Sequence, residues 1–293
     1  MKQIMKMAAI TVLSAALITG LSGCEELDSF LNEYNNVSVD DGTGLDVYFL
    51  DVGQADASYI TCGGESMMID GGNKADSDYV VSFLRSHNTD ELKYVFATHV
   101  HEDHVGGLAG ALTQCDVERV FCSKSSYSSK AFNDFKDKAE MRGADVEIPE
   151  PGDKYSLGGC TITVLAPYET SDEENDNSIV LKLEYGDTSF LFTGDAQNSE
   201  EKDMLSNCRR DLKSDVLKVG HHGSETSTGY EFLREVMPEY AVISVGKDNS
   251  YGHPDDSVIS RLQDEGASIY RTDENGIIKV HSDGKEISVE CEK

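Results

Sequence analysis

Short apolar runs separated by turns rich in Gly, Asp and Asn recur from residue 45 to near the end of the chain. Runs that alternate or stay apolar over so few residues are typical of β-strands that are half or fully buried. Strands are therefore predicted at residues 45–50, 57–61, 66–69, 94–97, 119–122, 161–165, 178–184, 189–193, 216–219 and 241–245. Tyr185-Gly186-Asp187-Thr188 predicts a hairpin turn between two of these strands.

Apolar positions three and four residues apart predict amphipathic helices between the strands. The predicted helices cover residues 77–86, 106–112, 129–141, 200–206, 229–236 and 254–264, and a few strands close the chain. Strands come first, and strands alternating with helices follow, which indicates an α/β layered domain. Because the apolar segments continue without a long break, we expect residues 45–293 to form one domain.

The first residues have the pattern of an export signal. Lys2 and Lys6 precede an uncharged, largely apolar stretch at residues 7–21. This stretch is short for a membrane span, and small residues follow it, as in a secretory signal peptide. We therefore expect the protein to be exported.

The end of this stretch, Leu21-Ser22-Gly23-Cys24, resembles a bacterial lipobox. The resemblance implies that residues 1–23 are a lipoprotein signal peptide and that Cys24 carries lipid. The protein would then be anchored to the outer face of the cytoplasmic membrane through Cys24. Residues 24–44 are polar and acidic and are predicted to form a tether. The alternative is an ordinary signal peptide with an incidental Cys.

The composition narrows the possible partners. The chain has 25 Lys and Arg against 54 Asp and Glu, a formal net charge of −29. Such a surface repels polyanions at long range, which disfavours a groove that binds long DNA electrostatically. With 39% hydrophobic residues, the chain is also unlike a disordered protein. The sequence identifies no protein partner.

The segment His99-Val100-His101-Glu102-Asp103-His104 follows the predicted strand 94–97 and contains four potential metal ligands. A single His is usually structural, but this density is unusual in a chain with eight His. Imidazole and carboxylate groups together suit zinc, manganese or iron. We expect Gly106 and Gly107 to permit a tight entry into the following helix.

Four other segments place a potential ligand at a strand end or a helix start. These ligands are Asp70 in Ile69-Asp70-Gly71, Asp195 in Thr193-Gly194-Asp195, the pair His221-His222 in Gly220-His221-His222-Gly223-Ser224, and His253 in Tyr251-Gly252-His253-Pro254. Each segment is a weak signal alone, because turns use the same residues. Their joint occurrence after buried strands predicts one shared site.

Together these motifs resemble the metallo-β-lactamase fold superfamily, whose most specific signature is the HxHxDH pattern seen here from His99 to His104. Further motifs resemble the hydrolase domain of ComEC-type DNA-uptake proteins and exported relatives that include choline-phosphate esterases. These motifs are Leu50-Asp51-Val52-Gly53-Gln54-Ala55-Asp56, Gly220-His221-His222-Gly223-Ser224 and Tyr251-Gly252-His253-Pro254. The resemblance spans nearly all of residues 45–290 and implies a four-layer αβ/βα sandwich with the site at one edge.

The resemblance also implies two divalent metal ions, zinc or manganese. His99 and His101 would hold one ion, Asp103 and His104 the other, Asp195 would bridge them, and His221 would complete the second ion, with His222 the second choice. The chain departs from the commonest pattern because it has no His between His104 and His221. The first ion would then bind weakly, or take water or Asn177. ComEC-type domains also often have Asp at the position of His101.

The implied mechanism is attack on phosphorus or a carbonyl by a hydroxide that bridges the two metals. Asp103 could also orient this hydroxide, while His222 and His253 could bind a phosphoryl oxygen or protonate the leaving group. Partners for metal-bound histidines are expected at Asp51 and Asp70. Ser224 is a weaker candidate for contact with an anion.

The leading functional hypothesis is an extracellular phosphodiesterase that acts on single-stranded DNA or a small phosphodiester, such as a choline-phosphate ester. The acidic surface favours the smaller substrate. Hydrolysis of a lactone, thioester or β-lactam is a second possibility, which the missing third His disfavours. A lipoprotein that binds metal without catalysis is a third.

Overall fold

The computed structural model describes residues 44–293, so the predicted signal peptide, Cys24 and the predicted tether up to residue 43 lie outside the described residues. One sheet contains β1 (Leu45–Phe49), β2 (Ala57–Cys62), β3 (Glu65–Gly71), β4 (Glu91–Ala97), β5 (Asp116–Cys122), β6 (Val146–Glu147), β14 (Ile278–Ser282) and β15 (Ile287–Cys291). The other contains β7 (Lys154–Leu157), β8 (Cys160–Ala166), β9 (Val180–Tyr185), β10 (Thr188–Phe192), β11 (Val216–Lys218), β12 (Tyr240–Ile243) and β13 (Ser268–Arg271). The strand orders are β15-β14-β1-β2-β3-β4-β5-β6 and β13-β12-β11-β10-β9-β8-β7.

Helices connect and flank these strands. They are α1 (Ser77–Ser86), α2 (Glu102–Val105), α3 (Leu108–Gln114), α4 (Lys130–Met141), α5 (Asn198–Asn207), α6 (Tyr230–Val236), α7 (Asp256–Asp264) and α8 (Thr272–Asn275). Side-chain caps fix two helix starts, because Ser129 accepts from Phe132 N at α4 and Asp255 accepts from Ser257 N at α7. Among residues 44–293, no helix has the length and apolar character needed to span a bilayer.

The two sheets stack on each other, and each carries helices on its outer face. Alternation along the strands divides their side chains between layers: Phe49 and Phe192 face the core between the sheets, where their rings stack 5.7 Å apart. Their neighbours Tyr48 and Leu191 belong to the two outer cores, which helices cover. Burial on both faces explains why the strands read as continuous apolar runs. The predicted four-layer α/β sandwich is confirmed.

The candidate site residues follow strands that end at the same edge of their sheet. In the second sheet β10 and β11 run parallel, as do β3 and β4 in the first. Parallel neighbours have their carboxyl ends on the same side. The loops after β4, β10 and β11 can therefore supply one site from both sheets.

The predicted helix at 106–112 is wrong in its bounds. The chain forms α2 earlier, at Glu102–Val105, and α3 begins at Leu108 after two glycines. A Cβ at Gly107 would lie 1.8 Å from the carbonyl oxygen of Gly71, and one at Gly106 would lie 2.3 Å from the amide nitrogen of Lys74. These glycines thus allow close packing of the helix start against neighbouring backbone.

Candidate metal centre

Four side chains from three strand ends converge on one point. Ligand atoms of Asp103, His104, Asp195 and His222 all lie within 4.8 Å of one another. His222 Nε2 is 3.3 Å from Asp103 Oδ2 and 3.7 Å from Asp195 Oδ2, and His104 Nε2 is 3.3 Å from Asp195 Oδ1. Asp103 is half-buried while the other three are buried. The cluster is thus open to solvent on one side.

Further imidazoles lie around the Asp195 carboxylate. His99 Nε2 is 3.9 Å and His221 Nε2 is 3.8 Å from the same oxygen, Asp195 Oδ2. His101 Nδ1 lies 3.0 Å from His99 Nε2. Asn175 Nδ2 lies 3.3 Å from His221 Nε2. The Asp195 carboxylate therefore lies close to potential ligands from both groups.

The two adjacent histidines occupy different places in the site. His222, rather than the favoured His221, joins Asp103 and His104. Both residues have left-handed backbone, with φ of 47° at His221 and 52° at His222. This uncommon pair of conformations lets both neighbouring imidazoles reach Asp195, whereas successive side chains on an extended strand would point to opposite faces.

Asp70 holds the His104 ring and the backbone at Thr98 in place. Its carboxylate accepts from the amide of Thr98 at 2.7 Å and from the Thr98 hydroxyl at 2.8 Å. Its Oδ2 also lies 2.8 Å from His104 Nδ1. An imidazole that donates from Nδ1 presents an unprotonated Nε2, which is the form that binds a metal. Asp70 therefore orients His104 toward the centre.

Asp56 is a site residue that the sequence did not reveal. Its Oδ1 lies 3.2 Å from His222 Nδ1, and its Oδ2 lies 3.9 Å from His104 Nδ1 and 2.6 Å from Lys218 Nζ. Asp56, Asp70 and His104 also lie close enough to hold an ion, but the ammonium of Lys218 already balances Asp56. Asp56 precedes a strand, whereas the potential ligands predicted from the sequence follow strands or begin helices.

Charge in the cluster is set by competition between burial and neighbouring groups. Burial alone would lower the pKa of His222, but the carboxylates of Asp195 and Asp56 raise it to about 10. Similarly, carboxylates led by Asp195 outweigh burial and raise the pKa of His104 well above its usual value. Burial would raise the pKa of Asp195, but His104 and His222 hold it well below the usual range. Burial lowers the pKa of His99. The carboxylates thus favour positive charge on the rings of His104 and His222.

The residues present fit a divalent cation. His104 Nε2 and Asp195 Oδ1 are buried and face each other, yet neither has a well-aligned hydrogen-bond partner within residues 44–293. Buried polar atoms are normally satisfied, so such a pair needs an explanation. A cation between them would satisfy both atoms. It would also replace the imidazole protons that the carboxylates otherwise favour.

The open side of the cluster is a cleft. Its lining residues are Gln54, His101, Glu102, Asp103, Asn175, Asp195, His221, His222, Tyr251 and His253. His253 is partly buried, and its ring lies 5.7 Å from that of His221. Burial lowers the pKa of His253, with help from His221 and His222.

Three expected contacts are not formed. Asp51 Oδ2 pairs with Lys293 Nζ at 3.0 Å and has no recorded contact with the site histidines. Asn177 accepts from Ser171 N and donates to loop carbonyls, because it caps its own turn, and Asn175 reaches His221 in its place. The hydroxyl of Ser224 is 3.0 Å from that of Thr226, since the turn after His222 directs it into the loop.

The chain is similar in sequence to known proteins. A family model described as "Metallo-beta-lactamase superfamily" matches residues 50–247. The chain is 35% identical over 202 residues to the ComE operon protein 3 of Bacillus subtilis (strain 168), a match that covers 68% of this chain and 26% of that protein. It is 27% identical over 230 residues to the competence protein ComA of Neisseria gonorrhoeae, which covers 78% of this chain and 31% of that protein. The chain thus spans about a quarter to a third of the curated relatives it matches.

A solved structure shows the same fold. The metallo-beta-lactamase fold protein YhfI from Bacillus subtilis matches with a TM-score of 0.53 and 12% sequence identity. The match covers 80% of this chain and 99% of that chain.

Proposed function

The chain belongs to the metallo-β-lactamase superfamily, whose members are generally metal-dependent hydrolases, and from this premise we propose that it is a metal-dependent phosphodiesterase. The observation that carries the proposal is the position of Asp195, whose carboxylate oxygens lie within 3.9 Å of imidazole nitrogens from four histidines. Two-metal sites of this kind are common in phosphatases and nucleases, where they act on both oxygens of an in-line displacement.

The two ligand sets divide around Asp195. Asp103, His104 and His222 would hold one divalent ion, zinc or manganese, and His99, His101 and His221 the other. Bound there, the ions would supply positive charge beside the phosphoryl group and lower the pKa of a water molecule. His221 would thus supply the third imidazole of the ion held by His99 and His101. The linear motif lacks this imidazole, because no His lies between His104 and His221.

His253 is placed to donate a hydrogen bond to the substrate. Gln54 Oε1 accepts from the amide of Gly246 at 3.0 Å, which turns the Gln54 NH₂ group toward His253 Nδ1, 3.5 Å away. If Nδ1 accepts, the neutral ring carries its proton on Nε2. Because its pKa is lowered, His253 is neutral near pH 7 and offers this N–H to a phosphoryl oxygen, rather than serving as the acid.

The cleft favours a small or single-stranded substrate. None of the described residues that line it is Lys or Arg, and Glu102, Asp103 and Asp195 are acidic. A duplex held through many phosphates would lack partners here. The relatives named as competence proteins support a nucleic-acid substrate, and the cleft favours one presented as a single strand or a short fragment.

The test uses the purified full-length chain loaded with Mn²⁺ or Zn²⁺. Its substrates are an end-labelled single-stranded oligonucleotide, a dinucleotide, glycerophosphocholine, and a panel of lactones, thioesters and β-lactams. We expect diester hydrolysis by the wild type and by Asp187→Ala, a change at an exposed residue, and none by Asp195→Ala. Hydrolysis of the carboxyl panel alone would contradict the proposal. Bound metal with no turnover of any ester would indicate a non-catalytic lipoprotein.

We also propose that the enzyme is exported and held on the outer face of the cytoplasmic membrane by lipid on Cys24. The support is the sequence of residues 1–24, which lie outside the described part of the chain. Cys24→Ala should release the protein from the membrane fraction in cell fractionation. Retention of the variant by the membrane, with no lipid found by mass spectrometry of the wild type, would contradict the proposal.

A further inference from the structure

An exposed aromatic side chain stands at the mouth of the cleft. Tyr251 is 72% exposed, which is the highest value for a Tyr in residues 44–293. It lines the same cleft as Asp103 and Asp195. Its ring stacks on that of His253, with centroids 5.7 Å apart and an interplanar angle of 24°. One ring face is thus supported by imidazole while most of the side chain is open to solvent.

The loop that carries Tyr251 is held in place by one side chain. Asn249 Oδ1 accepts from the amides of Tyr251 and His253, each at 3.1 Å. Asn249 Nδ2 donates to the carbonyls of Gly246 and His253, at 3.0 and 2.5 Å. These four bonds fix the backbone on both sides of the ring, so Tyr251 is presented in advance of binding. A group ordered beforehand loses little entropy when a ligand arrives.

Two imidazole rings connect Tyr251 with the metal centre along the cleft. The His253 ring lies 5.7 Å from that of His221, whose Nε2 is 3.8 Å from Asp195 Oδ2. Two imidazole rings therefore separate Tyr251 from the Asp195 carboxylate.

We propose that Tyr251, backed by His253, is a binding subsite for a planar aromatic ring, namely the nucleobase next to the scissile phosphodiester. This inference rests on the proposed phosphodiesterase activity and specifies its substrate class as nucleotide esters. Stacking needs no basic side chain, and the cleft lining includes none. A quaternary ammonium group is instead held by several aromatic rings that form a cage, whereas the lining here has one Tyr and no Phe or Trp.

The test compares thymidylyl-thymidine with the same dinucleotide lacking both bases, using the metal-loaded full-length chain. Tyr251→Ala should raise KM for the base-bearing compound by roughly 5- to 100-fold, the range expected for one base stacked on an aromatic ring. Its kcat, and both constants for the base-free compound, should stay near those of the wild type. Tyr251→Phe retains the ring and should behave as the wild type does.

Control variants separate binding from stability. Tyr230→Ala removes an exposed ring outside the cleft lining, and it should leave both substrates unaffected. All variants should keep the melting temperature of the wild type. A loss that is equal for the two dinucleotides, or no loss at all, would overturn the inference. So would a loss confined to glycerophosphocholine, which would assign the ring to a cation.

Failure of the proposed activity can be told apart from failure of this subsite. If the wild type cleaves neither dinucleotide, the phosphodiesterase proposal falls. Calorimetry then decides the subsite, with thymidine 5′-monophosphate and deoxyribose 5-phosphate as probes. Tighter binding of the base-bearing probe that Tyr251→Ala removes would support the subsite, and equal binding of both probes would overturn it.

Discussion

Asp195 shows how one residue can organise the site. It follows β10, is buried, and has an oxygen within 3.9 Å of an imidazole nitrogen from each of four histidines. Those contacts hold its pKa well below the usual range despite burial. Ionised in this way, Asp195 supplies the negative charge that two cations would share.

The charge of Asp195 is expected to matter more than its shape. Asp195→Asn keeps the size of the side chain but removes that charge, so we expect it to lose at least one of the two bound metals. Hydrolysis should fall by more than about 100-fold, since even residues that only orient metal ligands affect activity 10- to 100-fold. Elemental analysis of the purified protein and kcat/KM for a dinucleotide measure both effects. Asp187→Asn, at an exposed position, should match the wild type; full metal content in Asp195→Asn would refute this role.

The sequence could locate most of these residues because ligands cluster where buried strands end. His99, His104 and Asp195 are of this kind. Asp56 was missed because it precedes its strand and because its partner, Lys218, lies far away in the chain. The roles of His221 and His222 could not be separated from the sequence. Their backbone angles decide which ring lies beside Asp103, and the sequence pattern does not predict those angles.

Close backbone packing predicts a strict requirement for glycine at position 107. In Gly107→Ala the new Cβ would lie 1.8 Å from the Gly71 carbonyl oxygen, so either the start of α3 or the end of β3 must move. We expect a loss of roughly 1–3 kcal/mol in the free energy of unfolding, as in other overpacked sites. Denaturant titration of the metal-free protein measures it. Gly159→Ala, whose nearest neighbour is a Tyr185 ring atom at 3.1 Å, should cost less, and an equal cost would contradict this explanation.

At the scale of elements, a buried ion pair joins the two sheets. Lys218 ends β11 in one sheet, and Asp56 directly precedes β2 in the other. Lys218→Met should lower the free energy of unfolding by about 3 kcal/mol, the lower end for a broken buried pair, because the buried Asp56 carboxylate loses its closest cation but keeps His222 and His104 nearby. Chemical denaturation of the metal-free protein measures the change.

A double mutant tests the cause of that loss. Adding Asp56→Asn to Lys218→Met removes the buried carboxylate that has lost its closest cation and should restore part of the stability. If the two losses simply add, the pair does not couple the sheets. Lys182→Met, at a buried Lys whose recorded partner Glu184 is exposed and 3.6 Å away, should cost less than Lys218→Met.

Helices α5 and α6 are joined by a carboxylate that makes stability depend on pH. Glu201 accepts from the amides of Thr228 and Gly229, and burial raises its pKa to about 7 from an ordinary value of 4.5. The folded protein therefore binds more protons than the unfolded chain between these values. The free energy of unfolding should fall as pH rises through this window, by about 3 kcal/mol in total.

Glu201→Gln should remove this part of the pH dependence. The amide stays neutral, but its single oxygen replaces two carboxylate oxygens that each accept one backbone bond, so we expect a lower free energy of unfolding at every pH together with the changed slope. Denaturation of the metal-free wild type and variant at several pH values between 4.5 and 7.5 measures the difference in slope. Glu286→Gln, at an exposed position, should keep the wild-type slope; a Glu201→Gln profile that still parallels the wild type would contradict the assignment.

Burial makes the sequence pattern strongest in the central strands. The central strands β4, β10 and β11 are apolar because both faces are covered, and their predicted bounds differ from the observed ones by a few residues at most. The edge strands β6 and β7 were missed because they are short and partly polar, so they resemble loops. The early start of α2 depends on contacts between distant parts of the chain. The spacing of apolar residues does not reveal such contacts.

On the scale of the whole molecule, the fold places a metal centre of high local charge on a strongly acidic protein. The formal net charge is −29, and the residues that line the cleft add no Lys or Arg. Cations in the centre would attract the phosphate they hold. The rest of a long polyanion would still meet the field of the surrounding surface.

This contrast predicts an unusual response to salt. Proteins that bind nucleic acid through basic grooves lose affinity as salt rises. Here, raising ionic strength from about 0.01 to about 0.1 M shortens the Debye length from roughly 30 to roughly 10 Å, so it screens repulsion. We expect kcat/KM for a single-stranded oligonucleotide to rise several-fold, while that for a dinucleotide changes little because it carries a single phosphate. Initial rates in NaCl at constant Mn²⁺ measure this ratio, with an uncharged crowder as the viscosity control. An oligonucleotide rate that falls with salt would instead reveal a basic path along the surface, and it would restore long single strands as the preferred substrate.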